Sequence, residues 1–144
     1  MSILVEFFIA PDDDTAATVL EGGPEDHFPA VTDYGNFLVF QALAEWESLF
    51  TGRSLDDLVS ADEPRTVTDG ESGSAIYAAS PTLQQALTTA DPAVLAEIGT
   101  RWKQDTTSTG APFDPEMIDA LLSDVAELAR TATGQNHSLY CWMC

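Results

Sequence analysis

The stretch His137–Cys144, "HSLYCWMC", closes the chain and decides how the rest of it folds. It follows a helix stop at Gly134, is apolar from Leu139 onward and carries two aromatic residues, so it reads as a strand returning beside an earlier one. Its natural neighbour is "SILVEFFIA", residues 2–10, which is apolar at nearly every position, as a strand covered on both faces must be. "SAIYAAS", residues 74–80, supplies a third strand. With helical segments in between, the expected fold is α+β: one domain over residues 1–144, with a small sheet from residues 2–10, 74–79 and 138–143 packed against four to five helices.

The same stretch holds both cysteines of the protein, and a CxxC preceded by a histidine invites a thiol or zinc reading through His137, Cys141 and Cys144. Strand geometry argues against it. Side chains alternate faces, so Cys141 points with Leu139 and Met143, and Cys144 with Tyr140 and Trp142. Two thiols on opposite faces neither close a disulfide nor share a zinc ion. A reactive CxxC also sits at a helix N-terminus, and no helix follows Cys144 in this chain. We therefore expect neither metal nor cofactor, with the terminal CxxC kept as the alternative.

The helices announce themselves by punctuation. "PDDDTAATVLEGG" places acids in a first turn and ends at Gly22-Gly23; Asp12 to Asp14 point 100° apart on a helix and suit capping rather than one ion. "NFLVFQALAEWESLFTG" carries Val39, Leu43, Trp46 and Phe50 at helical spacing and stops at Gly52. Ser80-Pro81, Asp91-Pro92 and Asp114-Pro115 each set a capping side chain before a proline at the first helical position. Between these lie a turn-rich loop at residues 21–35, containing His27 and Tyr34, and an acidic polar excursion at 53–73 with one helical turn at Leu55 and Leu58. Asp69-Gly70 after "RTVT" is a hairpin signal, although "ESGS" makes a poor partner strand.

Composition narrows the function classes. The net charge is −19, with 24 acids against 5 basic residues; the first 72 residues carry −14 of it and the remainder −5. Such a field repels nucleic-acid phosphates and anionic membrane surfaces and favours a basic partner, or else serves solubility in a high-salt cytoplasm. No apolar run approaches the ~20 residues that span a bilayer, and "MSILVEFFIA" has no charged start, so the expected location is cytoplasmic. Serine elbows, phosphate-binding glycine loops and HExxH are absent, so no catalytic residue is assigned.

"LFTGRS" at Leu49 to Ser54 and "AIYAASPTLQQAL" at Ala75 to Leu87, between an apolar first strand and an apolar terminal one, resemble the YfbM-like proteins, small bacterial proteins. The resemblance implies an α+β domain and brings no activity with it. The "CWMC" ending departs from that pattern. Together these readings point to a non-enzymatic binding protein of the inhibitor, immunity or regulatory kind. It would present Glu45, Glu47, Asp56, Asp57, Asp62 and Glu63 to a basic protein. A further alternative is a small-molecule binder or enzyme, its pocket near the 21–35 loop with His27, Tyr34, Trp46 or Tyr77 at the mouth.

Overall fold

The terminal strand lies in the middle of the sheet. In the computed structural model, which describes residues 4–20, 23–24, 28, 30–35, 39–62, 65–70, 73–105 and 116–144, five strands form one sheet. They are β1 (Leu4–Ala10), β2 (Ala30–Gly35), β3 (Arg65–Asp69), β4 (Ala75–Ala78) and β5 (Ser138–Met143), in the order β2-β1-β5-β4-β3. Every neighbouring pair is antiparallel. Six helices are described: α1 (Asp13–Ala17), α2 (Val39–Thr51), α3 (Leu55–Ser60), α4 (Pro81–Thr89), α5 (Pro92–Asp105) and α6 (Glu116–Gly134). The fold is α+β, as the sequence implies.

β5 takes this place because both its faces are apolar. It pairs with β1 from Val5↔Met143 to Ala10↔Ser138, and with β4 from Ala75↔Met143 to Ala78↔Tyr140. The ladder continues to the last residue: Leu4 and Cys144 exchange backbone hydrogen bonds of 2.9 and 3.0 Å. Alternation then sorts the side chains. Val5, Phe7, Ile9, Leu139 and Cys141 enter a large core with α2, α4, α5 and α6. Phe8, Ala10, Ile76, Ala78, Tyr140 and Trp142 face the other way, into a smaller core closed by Ala16, Val19, Leu20 and Phe28.

That second face is covered thinly and pinned by polar contacts. Asp12 caps α1 by accepting from the Thr15 amide at 2.8 Å, and Asp13 accepts from Arg65 on β3 and from the Tyr140 hydroxyl at 2.7 Å. The Trp142 indole N–H donates to the Leu20 carbonyl at 3.0 Å. Gly23 crosses the face of that indole, where an added Cβ would lie 3.3 Å from the ring, and its φ of +87° is one that side chains disfavour.

The structure adds two strands to the expected three. β2 lies inside the segment read as loop at 21–35, and β3 inside the polar excursion at 53–73. Both are edge strands, short and each paired on one side, so neither needs the continuous apolar run that reveals a central strand. β3 and β4 do form a hairpin, closed by Gly70 N–H to the Ser74 carbonyl at 2.8 Å. The second strand starts at Ala75, beyond "ESGS", whose Glu71 and Ser72 lie outside the described residues. The first helix ends at Ala17, well before Gly22-Gly23, and the count of helices rises to six because Leu55–Ser60 is a complete short helix.

Candidate functional site

The acids expected to face a partner separate into two groups. On α2, Glu45 and Glu47 are 7% and 2% exposed, so neither stands on the open acidic surface expected for both, although Glu45 lines a small cavity. Glu47 stands four residues after Leu43 and three before Phe50, on the same side of the helix as the apolar stripe. Its carboxylate accepts from the Ser80 hydroxyl and, at 3.4 Å, from Arg53. Ser80 in turn caps α4 by accepting from the Leu83 amide at 3.0 Å. A buried carboxylate costs several kcal/mol unless hydrogen-bonded, and here it joins the start of α4 to the end of α2. Its role is architectural.

On α3 the arrangement is reversed. Ser54 caps the helix by accepting from the Asp57 amide at 3.1 Å, and Asp56 and Asp57 fill the first turn, where the helix dipole favours negative charge. Both acids are exposed, as is Asp62 just beyond the helix in a left-handed conformation, with φ at 60°. Glu63 lies outside the described residues. Leu58 alone anchors α3, fully buried, while Leu55 and Val59 stand 42% and 59% exposed. These two are four residues apart and so share one side of the helix. Exposed apolar and acidic side chains thus share one short helix and the residues just after it.

Beside Leu55 opens a cavity of about 70 Å³ between α2, α3 and α5, lined by Glu45, Ser48, Leu49, Leu55, Arg101 and Trp102. Two larger hollows, of about 310 and 210 Å³, adjoin at the other side of α4 and share Arg65, Ala78, Ala79 and Pro81. Arg65 is committed there: it clasps both oxygens of Asp13, which raises its own pKa and holds the Asp13 carboxyl below its usual range. His137 reaches this trough, but its carbonyl serves Gln84 at 3.1 Å.

The remaining candidates do not converge. Trp46 is fully buried, stacked on Phe7 at 5.7 Å and edge-on to Trp102 at 5.3 Å, so it is core and not the rim of a pocket. Tyr77 is half-buried against Phe40, and burial pushes its hydroxyl pKa up. His27 and the Tyr34 side chain lie outside the described residues; the Tyr34 backbone pairs with Val5 in the sheet.

The terminal motif is equally dispersed. Cys141 is buried in the large core, where desolvation, with Glu6 adding to it, raises its thiol pKa well above the ordinary value. Cys144 is exposed beside the Ser74 hydroxyl at 3.3 Å, and both thiols are free. His137 precedes a strand that advances about 3.3 Å per residue, which puts it roughly 20 Å from Cys144. Among the described residues no three histidine, cysteine or acidic side chains cluster as metal ligands. Nor is any described helix long and apolar enough to cross a membrane.

Compared with protein-family models, with curated proteins and with solved structures, the chain matches none.

The residues that sequence reasoning passed over are Leu55, Val59, Ser48 and Arg101. A signal for the first two was present. "LDDLVS" packs three apolar residues into six positions, more than one short helix buries against a single neighbour.

Proposed function

We propose that this chain is a non-enzymatic, cytoplasmic binding protein that docks a basic protein partner on α3. One observation carries the reading: α3 leaves Leu55 and Val59 in solvent, with Asp56 and Asp57 exposed on the same short helix and Asp62 exposed just beyond it. The apolar pair offers area to bury, and the acids select a cationic rim on the partner and speed its approach at low salt. The overall charge of −19 acts in the same direction. The resemblance to the YfbM-like proteins contributes a fold to this reading and no activity.

The test is comparative capture from lysate of the source organism. Wild-type protein, the triple variant Asp56→Asn, Asp57→Asn, Asp62→Asn, and the double variant Leu55→Ser, Val59→Ser are immobilised in parallel. A basic protein retained by the wild type at low salt, shed at near-molar salt and lost by both variants supports α3 as the docking face. Equal retention by all three removes α3 from the assignment. A chain that retains nothing and gains thermal stability in molar salt carries its acids for salt adaptation instead.

A further inference from the structure

The cavity beside α3 has the chemistry of a pocket for one side chain. Its volume of about 70 Å³ is that of roughly two waters at about 30 Å³ each, far below the several hundred that hold a metabolite. Leu49, Leu55 and Trp102 are its apolar lining residues, and Glu45 and Ser48 are acid- and hydroxyl-bearing members of the same lining. Glu45 is 7% exposed and already has an interaction within the fold, so an incoming donor joins an existing environment there.

We propose that this cavity takes the end of a lysine side chain from the basic partner. The proposal rests on the reading of α3 as the docking face, because Leu55 belongs to both the pocket wall and the exposed apolar pair. Methylenes of the lysine stem lie on the apolar wall, and the ammonium donates to Glu45 and Ser48. Lysine suits the cavity better than arginine. An ammonium is compact on a flexible stem, whereas a planar guanidinium needs a wide slot and a bidentate acceptor.

Arg101 gives the proposal a sign that can be checked. It lines the same cavity from α5, is itself exposed, and carries the charge that the incoming lysine carries. Arg101 therefore opposes the ligand, and removing its charge tightens binding while removing the charge of Glu45 weakens it. A merely structural role for either residue predicts no such opposition.

The experiment titrates isotopically labelled full-length protein with n-butylammonium at constant ionic strength, followed by NMR. n-Butanol serves as the neutral comparison and n-propylguanidinium as the arginine-like one. Saturable shifts confined to Ser48, Leu55 and the Trp102 indole are expected with the ammonium alone, with a dissociation constant of about 1–10 mM. Glu45→Gln should weaken binding about tenfold and Arg101→Gln should strengthen it several-fold. The second change is at an exposed position and does not endanger folding. No saturable shift, stronger binding of the guanidinium, unchanged binding by Glu45→Gln, or weaker binding by Arg101→Gln each overturns the pocket. A partner that is lost on the α3 variants yet holds Glu45→Gln as tightly as wild type leaves the docking face standing and removes the pocket. Ammonium binding without any partner retained on α3 removes the docking face instead.

Discussion

α2 and α3 follow one another along the chain and handle acids and apolar side chains in opposite ways. α2 buries everything from Ala42 to Glu47, two carboxylates included, whereas α3 exposes two aliphatic residues and both of its acids. The difference lies in neighbours rather than in composition. α2 packs against α3, α4 and α5, so most of its circumference faces protein. α3 leans on α2 and has one anchored residue, Leu58. A carboxylate is tolerated inside where a hydroxyl and a guanidinium meet it, and a leucine is left partly outside where its neighbours leave it uncovered.

Substitutions should separate the two helices sharply. Trp46→Ala removes the ring that packs against both Phe7 and Trp102 and should cost about 3–5 kcal/mol in denaturant unfolding. A loss near 1 kcal/mol would show that α2 is not the core helix described. Glu47→Ala removes the acceptor of Ser80 and Arg53 and should cost about 2–3 kcal/mol, with α4 losing amide protection first. Replacing Gly23 by Ala tests the thin face instead. The positive φ and the 3.3 Å approach to Trp142 should cost about 1–3 kcal/mol and shift the tryptophan fluorescence. On α3, Leu55→Ser with Val59→Ser should stay within about 0.5 kcal/mol of wild type while abolishing partner capture. Destabilisation comparable to that of Glu47→Ala would make α3 part of the core and end the contrast.

Asp13 falls between these extremes and gives a small effect. It is 43% exposed at its side chain, and Arg65, helped by the Tyr140 hydroxyl, holds its carboxyl below the ordinary 3.8. A carboxyl lowered on folding stabilises the folded state above its unfolded pKa and loses that contribution as pH falls below it. Solvent screening keeps the contribution under about 1 kcal/mol. Asp13→Asn should therefore lower stability slightly at neutral pH and flatten the pH dependence below about pH 4. An unchanged acid limb would show that the Arg65 pair does not act on folding.

Much of the architecture was legible because it is set by local rules. The caps at Ser80 and Asp91 lie where their Ser-Pro and Asp-Pro pairs place them, since a cap needs only its own next three residues. Asp114-Pro115 falls outside the described residues. The opposite placement of Cys141 and Trp142 follows from the two-residue period of a strand, and it separates the two thiols. The edge strands β2 and β3 were not legible, because one-sided pairing leaves short sequences polar. For the candidate site, the sequence marked Asp56, Asp57 and Asp62 as acidic and near one another. It did not distinguish them from Glu45 and Glu47, although Glu47 stands on the stripe of Leu43 and Phe50.

By itself, then, the sequence determined the α+β class and the caps at Ser80 and Asp91 through periodicity and residues a few positions apart, the neighbouring of the first and last strands through their apolar runs, and the excess of negative charge through composition. Only the tertiary structure decided which carboxylates meet solvent, that Leu55 and Val59 remain uncovered, and that Glu45 and Arg101 line one small cavity beside them. Exposure is a property of what packs against a residue, and those partners come from distant parts of the chain: Ser80 reaches Glu47 from 33 positions away, and Arg101 lines the same cavity as Glu45 from another helix.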